Sequence, residues 1–115
     1  MNISFDFDET LKKHESLQDL AKHLIKTAQE VYILTARSKD DDNQDLYDLA
    51  DSIRLRRANI LFADKPEFKW HYIMFKDIDL HFENNLATVK EINNNVPNSP
   101  AVCVGLNTQL SDADK

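Results

Sequence analysis

The feature that most constrains the fold is a regular alternation between short apolar runs and amphipathic segments of helical length. The apolar runs are rich in β-branched and aromatic residues, which favour strands, and they cover residues 3–7, 31–34, 59–62, 78–82 and 101–106. Between them, apolar residues recur every three or four positions, as on one face of a helix, over residues 16–29, 46–53, 66–75 and 86–93. The predicted order is therefore βαβαβαβαβ.

Crossovers of helical length between successive strands predict a parallel sheet. Ser16 is the predicted N-cap of the first helix. We expect the α/β class, with a three-layer, Rossmann-like fold in which helices cover both faces of a five-stranded parallel sheet. In such folds ligands bind beyond the carboxyl ends of the strands, near the point where the strand order reverses.

The size and composition of the chain indicate one domain. Its 115 residues are close to the commonest domain length, so we expect a single domain over 1–115, with a core of about 2–106 and a tail of 107–115. The apolar runs fall far short of the roughly 20 residues that a membrane helix needs. One cysteine, Cys103, excludes an internal disulfide and a cysteine-based zinc site. We therefore expect a cytoplasmic protein without membrane contact.

The charge of the chain limits its partners. A net charge of −6 and a pI of about 5.1 argue against broad binding to nucleic acid or anionic lipid. Acidic residues concentrate around Asp6, Asp8 and Glu9, and again over 40–42. The second group precedes a predicted helix, whose first turn favours carboxylates, and we expect it to be a solvated loop. The first group follows a strand and is the candidate for chemistry.

Polar side chains follow three of the predicted strands. Asp6 and Asp8 lie at the end of the first strand, Thr35 directly follows the second, and Glu83 and Asn84 directly follow the fourth. Two neighbouring carboxylates repel unless a cation or a proton neutralises them, and Mg²⁺ with oxygen ligands is a natural neutraliser. These residues alone leave a metal site and a pair of solvated loop acids equally open.

The same residues resemble the haloacid-dehalogenase-like phosphohydrolases of the small type without a cap domain. That family's first motif is an apolar strand followed by Asp-x-Asp-x-Thr, which residues 3–11 match at every position. Its second is an apolar strand ending in Thr or Ser, matched by 31–35. Its third is a lysine ahead of the fourth strand, here Lys69, and its fourth is an acidic pair at the end of that strand, here beginning at Glu83. The resemblance covers about residues 2–106, with family-like intervals.

The resemblance implies a phosphatase, a phosphomonoester hydrolase that depends on Mg²⁺. Asp6 would be the nucleophile and would form an aspartyl-phosphate. Asp8 would be the general acid for the leaving alcohol and then the general base for the hydrolytic water. Lys69 would offset the negative charge of the nucleophile and the phosphate, and Thr35 would hydrogen-bond the transferring phosphoryl group.

The resemblance also implies how phosphate and metal are held. Thr10, Ala36 and Arg37 would complete the phosphate site. Arg37 lies just after Thr35, at the expected crevice, where it would contact the substrate. We expect His81 to be a packed strand residue. The ligands implied for Mg²⁺ are Asp6, Asp8 through its backbone carbonyl, Glu83 and Asn84.

Two features depart from the family's pattern. The fourth motif usually supplies aspartates, and the replacement by Glu83 and Asn84 is expected to weaken Mg²⁺ binding. Lys65, before Pro66, is the second candidate for the motif lysine. The altered fourth motif leaves an alternative function open, a phosphate-binding or regulatory protein with little turnover.

The intervals between motifs leave no room for an inserted cap domain, so we expect an open crevice. Such a site suits large substrates, or a small phosphorylated molecule when a second copy of the chain closes it. The sequence 35–37 is faintly similar to the phosphatase half of polynucleotide kinase/phosphatase enzymes. Because the net charge opposes a long nucleic-acid footprint, the expected substrate is a phosphorylated small molecule, a nucleotide or a nucleic-acid end.

Overall fold

The computed structural model describes residues 1–104, which form a five-stranded sheet in which all neighbouring strands are parallel. The strands are β1 Asn2–Phe5, β2 Glu30–Thr35, β3 Ile60–Phe62, β4 Leu80–Glu83 and β5 Ala101–Cys103. Their order across the sheet, β3-β2-β1-β4-β5, is Rossmann-like. The predicted α/β class with a parallel sheet is confirmed. Residues 105–106 of the predicted fifth strand and the predicted tail at 107–115 lie outside the described residues.

Helices cover both faces of this sheet, as the sequence predicts. They are α1 Glu15–Lys26, α2 Gln44–Ser52, α3 Lys69–Phe75 and α4 Leu86–Asn95. Ala21 of α1 and Leu46 of α2 pack with Phe5 on one face. Ile73 of α3 packs with Leu34 on the other. No helix within residues 1–104 is long and apolar enough to cross a membrane.

The predicted element boundaries differ from the observed ones by a few residues. The first helix, predicted over 16–29, ends at Lys26, and it begins at Glu15 rather than after an N-cap at Ser16. His14 occupies the N-cap position, and its side chain makes no capping hydrogen bond. The predicted N-cap at Ser16 is therefore wrong, because a carboxylate in the first turn favours helix here without a capping hydroxyl. The segment predicted as one helix over 66–75 begins as a 3₁₀ turn at Pro66–Phe68.

The strand order reverses between β1 and β4, which lie side by side in the sheet. Ser4 pairs with His81, and Phe5 pairs with Phe82. The Asp6 amide then donates a 2.9 Å hydrogen bond to the Phe82 carbonyl, so the Asp6 side chain emerges where the pairing ends. In the described residues, a short helical turn at Phe7–Leu11 and α1 join β1 to β2, and a 3₁₀ turn and α3 join β3 to β4. This end of the sheet therefore carries no inserted domain within residues 1–104.

Three of the helices end in a left-handed residue that is not glycine. After α1, the Ala28 amide donates to the Ile25 carbonyl and the Gln29 amide to the Leu24 carbonyl, which is the Schellman pattern. Ala28 has a φ of 65°. Arg54 after α2 and Asp77 after α3 have φ of 65° and 51° in the same arrangement. Because the whole chain has a single glycine, at position 105, these turns carry a steric cost that glycine would avoid.

Changing Ala28 to glycine is expected to raise the free energy of unfolding by about 1 kcal/mol, because Ala28 is exposed and only its Cβ opposes the left-handed conformation. Urea unfolding monitored by circular dichroism would measure the change. The matched control is Ala87→Gly, at an exposed helical position, which is expected to lower stability. A loss of stability in Ala28→Gly would contradict the interpretation.

Candidate active site

A buried ammonium group joins two carboxylates at the carboxyl end of the sheet. Lys69 Nζ lies 2.7 Å from Asp6 Oδ1 and 2.8 Å from Glu83 Oε1. The exposed fractions of the three residues are 2%, 5% and 1%. Asp6 follows β1, Glu83 ends β4, and Lys69 begins α3, so the reversal in strand order brings them together.

The two candidate lysines lie in different surroundings. The 3₁₀ turn at Pro66–Phe68 feeds directly into α3 and places Lys69, its first residue, against the sheet. Lys65 is exposed, and its ammonium lies 5.9 Å from the centre of the Phe68 ring. Only Lys69 of the two contacts the carboxylates.

A second buried hydrogen-bonded chain supports Glu83 from the other side. The Ser4 hydroxyl lies 2.7 Å from His81 Nδ1, and His81 Nε2 lies 3.0 Å from Glu83 Oε1. Complete burial lowers the pKa of His81, so the ring is neutral at pH 7. A neutral ring that donates from Nε2 to the carboxylate must accept from Ser4 at Nδ1.

Sequence reasoning missed this chain, because it treated His81 as packing and did not consider Ser4. His81 and Glu83 are two residues apart on β4 and share a face, and Ser4 is the β1 partner of His81. The i, i+2 spacing was the available signal. The register between β1 and β4 was not readable from the sequence.

The two buried carboxylates differ in how readily they take up a proton. Burial raises the pKa of Asp6 to about 6, although Lys69 opposes this effect. Burial acts on Glu83 in the same direction, but the hydrogen bond from His81 and the charge of Lys69 outweigh it and lower the pKa to about 2. Glu83 also accepts from the Asn85 amide at 3.3 Å. Glu83, which receives more hydrogen bonds, therefore keeps its charge. Asp6 is the first of the two carboxylates to take up a proton as the pH falls.

This difference predicts a specific pH dependence of stability. Because the folded-state pKa of Asp6 lies above the usual value of about 4, Asp6 stabilises the fold fully below pH 4, and this contribution is lost as pH rises through about 6. Relative to an Asp6→Asn variant, the wild type is expected to lose about 3 kcal/mol between pH 4 and pH 7. The opposite contribution of Glu83, lost only as pH falls from about 4.5 towards 2, largely cancels in this difference.

Urea unfolding of both proteins at several pH values between 4 and 7 measures that difference. Asp19→Asn, on the exposed face of α1, is the matched control and is expected to show no such trend. A difference between wild type and Asp6→Asn that stays constant from pH 4 to pH 7 would show that the pKa of Asp6 is ordinary.

One hydroxyl lies between two oxygen acceptors beside this cluster. Thr10 Oγ1 is 3.0 Å from Asp6 Oδ2 and 3.2 Å from Asn84 Oδ1. A hydroxyl has a single proton, so it serves one of these oxygens well and leaves the other available to a further donor or a cation. Thr10 is fully buried, because it follows the tight loop after β1 in which Glu9 has a φ of 61°.

Thr35 takes a different position from Ala36. Its hydroxyl is fully buried and accepts a 3.1 Å hydrogen bond from the Arg37 amide, which folds the loop back after β2. Ala36 lines the small pocket beside Asp6, whereas Thr35 does not. Because accepting from the Arg37 amide uses only a lone pair, the Thr35 hydroxyl keeps its own proton and can donate it to a phosphoryl oxygen that comes within reach.

Arg37 holds two carboxylates rather than pointing into an open crevice. Its Nε and Nη2 donate to Asp8 at 3.0 and 2.8 Å, and its Nη1 and Nη2 donate to Asp45 at 2.7 and 2.9 Å. Lys12 also contacts Asp45, at 2.9 Å. Hydrogen bonds to Asp45 and Asp8 raise the pKa of Arg37, and the same bond from Arg37 lowers the pKa of Asp45.

This network places Asp8 at the rim of the site with half its side chain exposed. Asp8 receives two parallel hydrogen bonds from a guanidinium, which is the geometry of an ionised carboxylate. Sequence reasoning missed Asp45, because an acidic residue in the first turn of a helix is common and gives no sign of a distant partner. The acidic group at 40–42 is exposed, as predicted.

The pocket in front of the cluster is small. Its volume is about 180 Å³, and the residues that line it include Asp6, Asp8, Ala36, Lys69 and Asn84. Pockets for drug-sized ligands are usually about 300–1,000 Å³. This pocket is therefore of a size for a phosphoryl-sized group and little more.

Comparisons with known proteins do not assign the chain to a family. No protein-family model matches it, and a search of curated proteins finds no match.

The oxygen atoms around Asp6 suit Mg²⁺ better than a metal ion whose ligands must all come from the protein. Among residues 1–104, no three His, Cys, Asp or Glu side chains converge as a metal site. Mg²⁺ needs only one or two carboxylates, with waters and substrate phosphate completing its shell. The Thr10 hydroxyl cannot donate to both Asp6 and Asn84, so one of these side-chain oxygens is left available to a cation. One carboxylate and one amide oxygen fit this mode of Mg²⁺ binding. Glu83 is occupied by Lys69, His81 and the Asn85 amide.

Proposed function

We propose that the protein is a phosphomonoester hydrolase of the haloacid-dehalogenase-like type, dependent on Mg²⁺ and acting through an aspartyl-phosphate. The observation that carries the proposal is the buried Asp6 carboxylate, bonded to Lys69 at the reversal of the strand order and facing a pocket of about 180 Å³. A carboxylate that is buried, paired with one cation and open to a phosphoryl-sized pocket suits a nucleophile towards phosphorus.

The first chemical step forms one bond and breaks one. A carboxylate oxygen of Asp6 attacks the phosphorus atom of the substrate, and the bond between phosphorus and the leaving oxygen breaks. Lys69 remains beside Asp6 and offsets the negative charge that gathers there. Because Glu83 also binds Lys69, the ammonium stays fixed while Asp6 changes from carboxylate to acyl phosphate.

Asp8 carries out the proton transfers of both steps. The leaving alkoxide takes a proton from protonated Asp8, and the resulting carboxylate then removes a proton from the water that attacks the phosphorus of the aspartyl-phosphate. The bond between phosphorus and the Asp6 oxygen breaks, which releases inorganic phosphate and restores the Asp6 carboxylate. In the structure Asp8 accepts two hydrogen bonds from Arg37, which matches its ionised form. Delivery of a proton to the leaving group therefore requires Asp8 to loosen this pairing.

Mg²⁺ would be held by Asp6, the backbone carbonyl of Asp8 and Asn84, with Glu83 acting mainly on Lys69. When bound, it neutralises the charge between an anionic nucleophile and an anionic phosphate. Asn84 supplies an oxygen without a charge, so we expect weaker Mg²⁺ binding than a pair of aspartates would give. The single cysteine, Cys103, which is not in a disulfide, fits a reducing compartment, and we infer a cytoplasmic location.

One observation favours a second candidate function. Asp8 is tied to Arg37 and Glu83 to Lys69, so two acidic groups of the site already have protein cations as partners. A protein with this arrangement would bind phosphate and turn it over little, as a regulatory or binding protein.

Initial rates of phosphate release from a panel of phosphomonoesters, with Mg²⁺ and with EDTA, test the proposal. Hydrolysis that needs Mg²⁺ supports the hydrolase. Absence of hydrolysis across the panel, with inorganic phosphate still bound in calorimetry, would overturn it in favour of the binding protein.

A further inference from the structure

A row of polar side chains lies within the apolar layer between the sheet and the helices α3 and α4. Ser4, His81 and Glu83 are each at most 1% exposed, and we call these three residues the polar column. His81 and Glu83 share one face of β4, and Ser4 lies on the same face because it is the register partner of His81. The buried apolar residues of this layer include Leu34, Ile73, Val89 and Ile92.

Each hydrogen bond in the polar column has one possible direction. The ionised Glu83 carboxylate can only accept, so His81 Nε2 carries the proton of their 3.0 Å bond. In a neutral ring Nδ1 is then an acceptor, and the Ser4 hydroxyl donates to it at 2.7 Å. With the ring proton on Nδ1 instead, the lone pair of Nε2 would face the carboxylate. Ser4 therefore selects the ring tautomer that can donate to Glu83.

The polar column fixes Glu83 against Lys69. Glu83 Oε1 accepts from both His81 Nε2 and Lys69 Nζ, and its Oε2 accepts from the Asn85 amide. The carboxylate therefore cannot rotate without losing at least one of these bonds. Lys69 carries its ammonium on a flexible four-carbon stem, so a fixed partner is needed to hold that group 2.7 Å from Asp6. The positions of Ser4 and His81 thus determine, through Glu83, where the charge beside Asp6 lies.

Ser4 and His81 act on the site without contacting a bound substrate. Neither is among the described residues that line the pocket at Asp6. Burial of a hydroxyl and an imidazole is unfavourable unless both are hydrogen-bonded, whereas two apolar side chains would fill the same layer without that cost. Within residues 1–104, the side chains of this pair make one hydrogen bond outside the pair, and it goes to Glu83. The effect of the pair on the site is therefore exerted through Glu83.

We propose that Ser4 and His81 are positioning residues of the candidate active site, which hold Glu83 and through it direct the Lys69 ammonium at Asp6. This inference rests on the proposed function, since it assigns part of the rate of that reaction to two residues that do not touch the substrate. His81 Nε2 and Lys69 keep their protons throughout, so the contribution is one of orientation. Buried partners that orient the groups of a site are typically worth about 10–100-fold in activity.

The first experiment observes the polar column without catalysis. ¹⁵N NMR of the wild type at pH 7 is expected to show the His81 ring protonated at Nε2 and unprotonated at Nδ1. The Lys69 ammonium is buried and hydrogen-bonded, so its protons are expected to exchange slowly enough with water to give a side-chain signal. His81→Leu is expected to abolish that signal, whereas His81→Gln, whose amide can still donate to Glu83, is expected to keep it. Protonation of the wild-type ring at Nδ1, or an unchanged Lys69 signal in His81→Leu, would overturn the proposal.

The second experiment measures kcat and KM with the best substrate of the phosphomonoester panel at saturating Mg²⁺. His81→Leu is expected to lower kcat about tenfold and to leave KM within about twofold, because Lys69 acts on the charge of the transition state. His81→Gln is expected to restore kcat to within about threefold of the wild type. Ile92→Val, in the same apolar layer but outside the polar column, is the matched control and should lower stability without changing kcat. A wild-type kcat in His81→Leu would overturn the proposal.

A double-mutant cycle tests Ser4 and remains available if His81→Leu fails to fold in quantity, because Ser4→Ala removes only one oxygen from the core. Ser4→Ala alone is expected to lower kcat about threefold, as the loss of one hydrogen bond would. Combined with His81→Leu, it should lower kcat no further than His81→Leu does, since Ser4 acts only through the ring. An unchanged kcat in Ser4→Ala, or effects that multiply in the double variant, would overturn the role of Ser4.

The experiments separate failure of the positioning role from failure of the proposed function. The expected NMR signals without hydrolysis of any ester would leave the positioning of Lys69 standing and remove the hydrolase. Hydrolysis with a kcat that does not respond to His81→Leu would overturn the positioning role alone. A loss in His81→Leu that is confined to Mg²⁺ affinity, with full kcat at saturating Mg²⁺, would assign the polar column to metal binding and would overturn the positioning role as well.

Discussion

Replacing Lys69 by methionine is expected to lower the free energy of unfolding by about 3–5 kcal/mol at pH 7. Lys69 is 2% exposed and bonds Asp6 at 2.7 Å and Glu83 at 2.8 Å. Without the ammonium, two carboxylates would remain buried and face each other with no cation between them. Urea unfolding followed by circular dichroism measures the loss.

Lys65→Met is the matched control, because Lys65 is exposed and lies outside the cluster. Its change is expected to stay within about 0.5 kcal/mol. Adding Glu83→Gln to Lys69→Met is expected to restore part of the stability, since it removes one of the two stranded charges. A Lys69→Met protein as stable as the wild type would contradict the description of the cluster.

Replacing Asp6 by asparagine is expected to reduce the rate of phosphate release at least about 10³-fold. An amide oxygen is a far weaker nucleophile than a carboxylate. That oxygen can still accept from Lys69, and the amide NH2 in the place of Oδ2 can donate to the Thr10 hydroxyl, whose proton then goes to Asn84. The fold should therefore survive, and unfolding curves of the variant would confirm that the lost activity is chemical. Rates with the best substrate of the phosphomonoester panel, at saturating Mg²⁺, measure the effect.

Asp19→Asn makes the same chemical change at an exposed position and is expected to keep full activity. Retention of more than about a tenth of the wild-type rate by Asp6→Asn would exclude Asp6 as the nucleophile. In that case the activity would have to come from another group or from a contaminating enzyme.

The architecture was predictable because it depends on patterns that local sequence carries. Alternating strand-like and helical periods, with crossovers of helical length, favour a parallel sheet with helices on both faces, and the structure has that sheet. Element boundaries were less predictable, since they depend on contacts with distant residues. Ser16 has the chemistry of an N-cap, yet α1 begins one residue earlier, at Glu15.

The meeting of Asp6 and Glu83 followed from the rule that parallel strands align their carboxyl ends, whereas the place of Lys69 was implied only by the family resemblance. What the sequence did not reveal are the partners that come from register and from helix placement. The bond between Ser4 and His81 needs the β1–β4 register, and the pairing of Arg37 with Asp45 needs the position of α2. Such pairs depend on three-dimensional packing, and the residue types alone do not predict them.

The most direct test of the central claim is whether the Asp6 carboxylate binds a phosphoryl mimic. Beryllium fluoride is such a mimic, because it coordinates a carboxylate oxygen and adopts the tetrahedral geometry of a phosphoryl group. ¹⁹F NMR of the protein with beryllium fluoride and Mg²⁺ needs no knowledge of the substrate. We expect protein-bound fluorine signals for the wild type and for Asp19→Asn, and their loss in Asp6→Asn or when EDTA is added. Absence of bound signals from the wild type, or their persistence in Asp6→Asn, would contradict it.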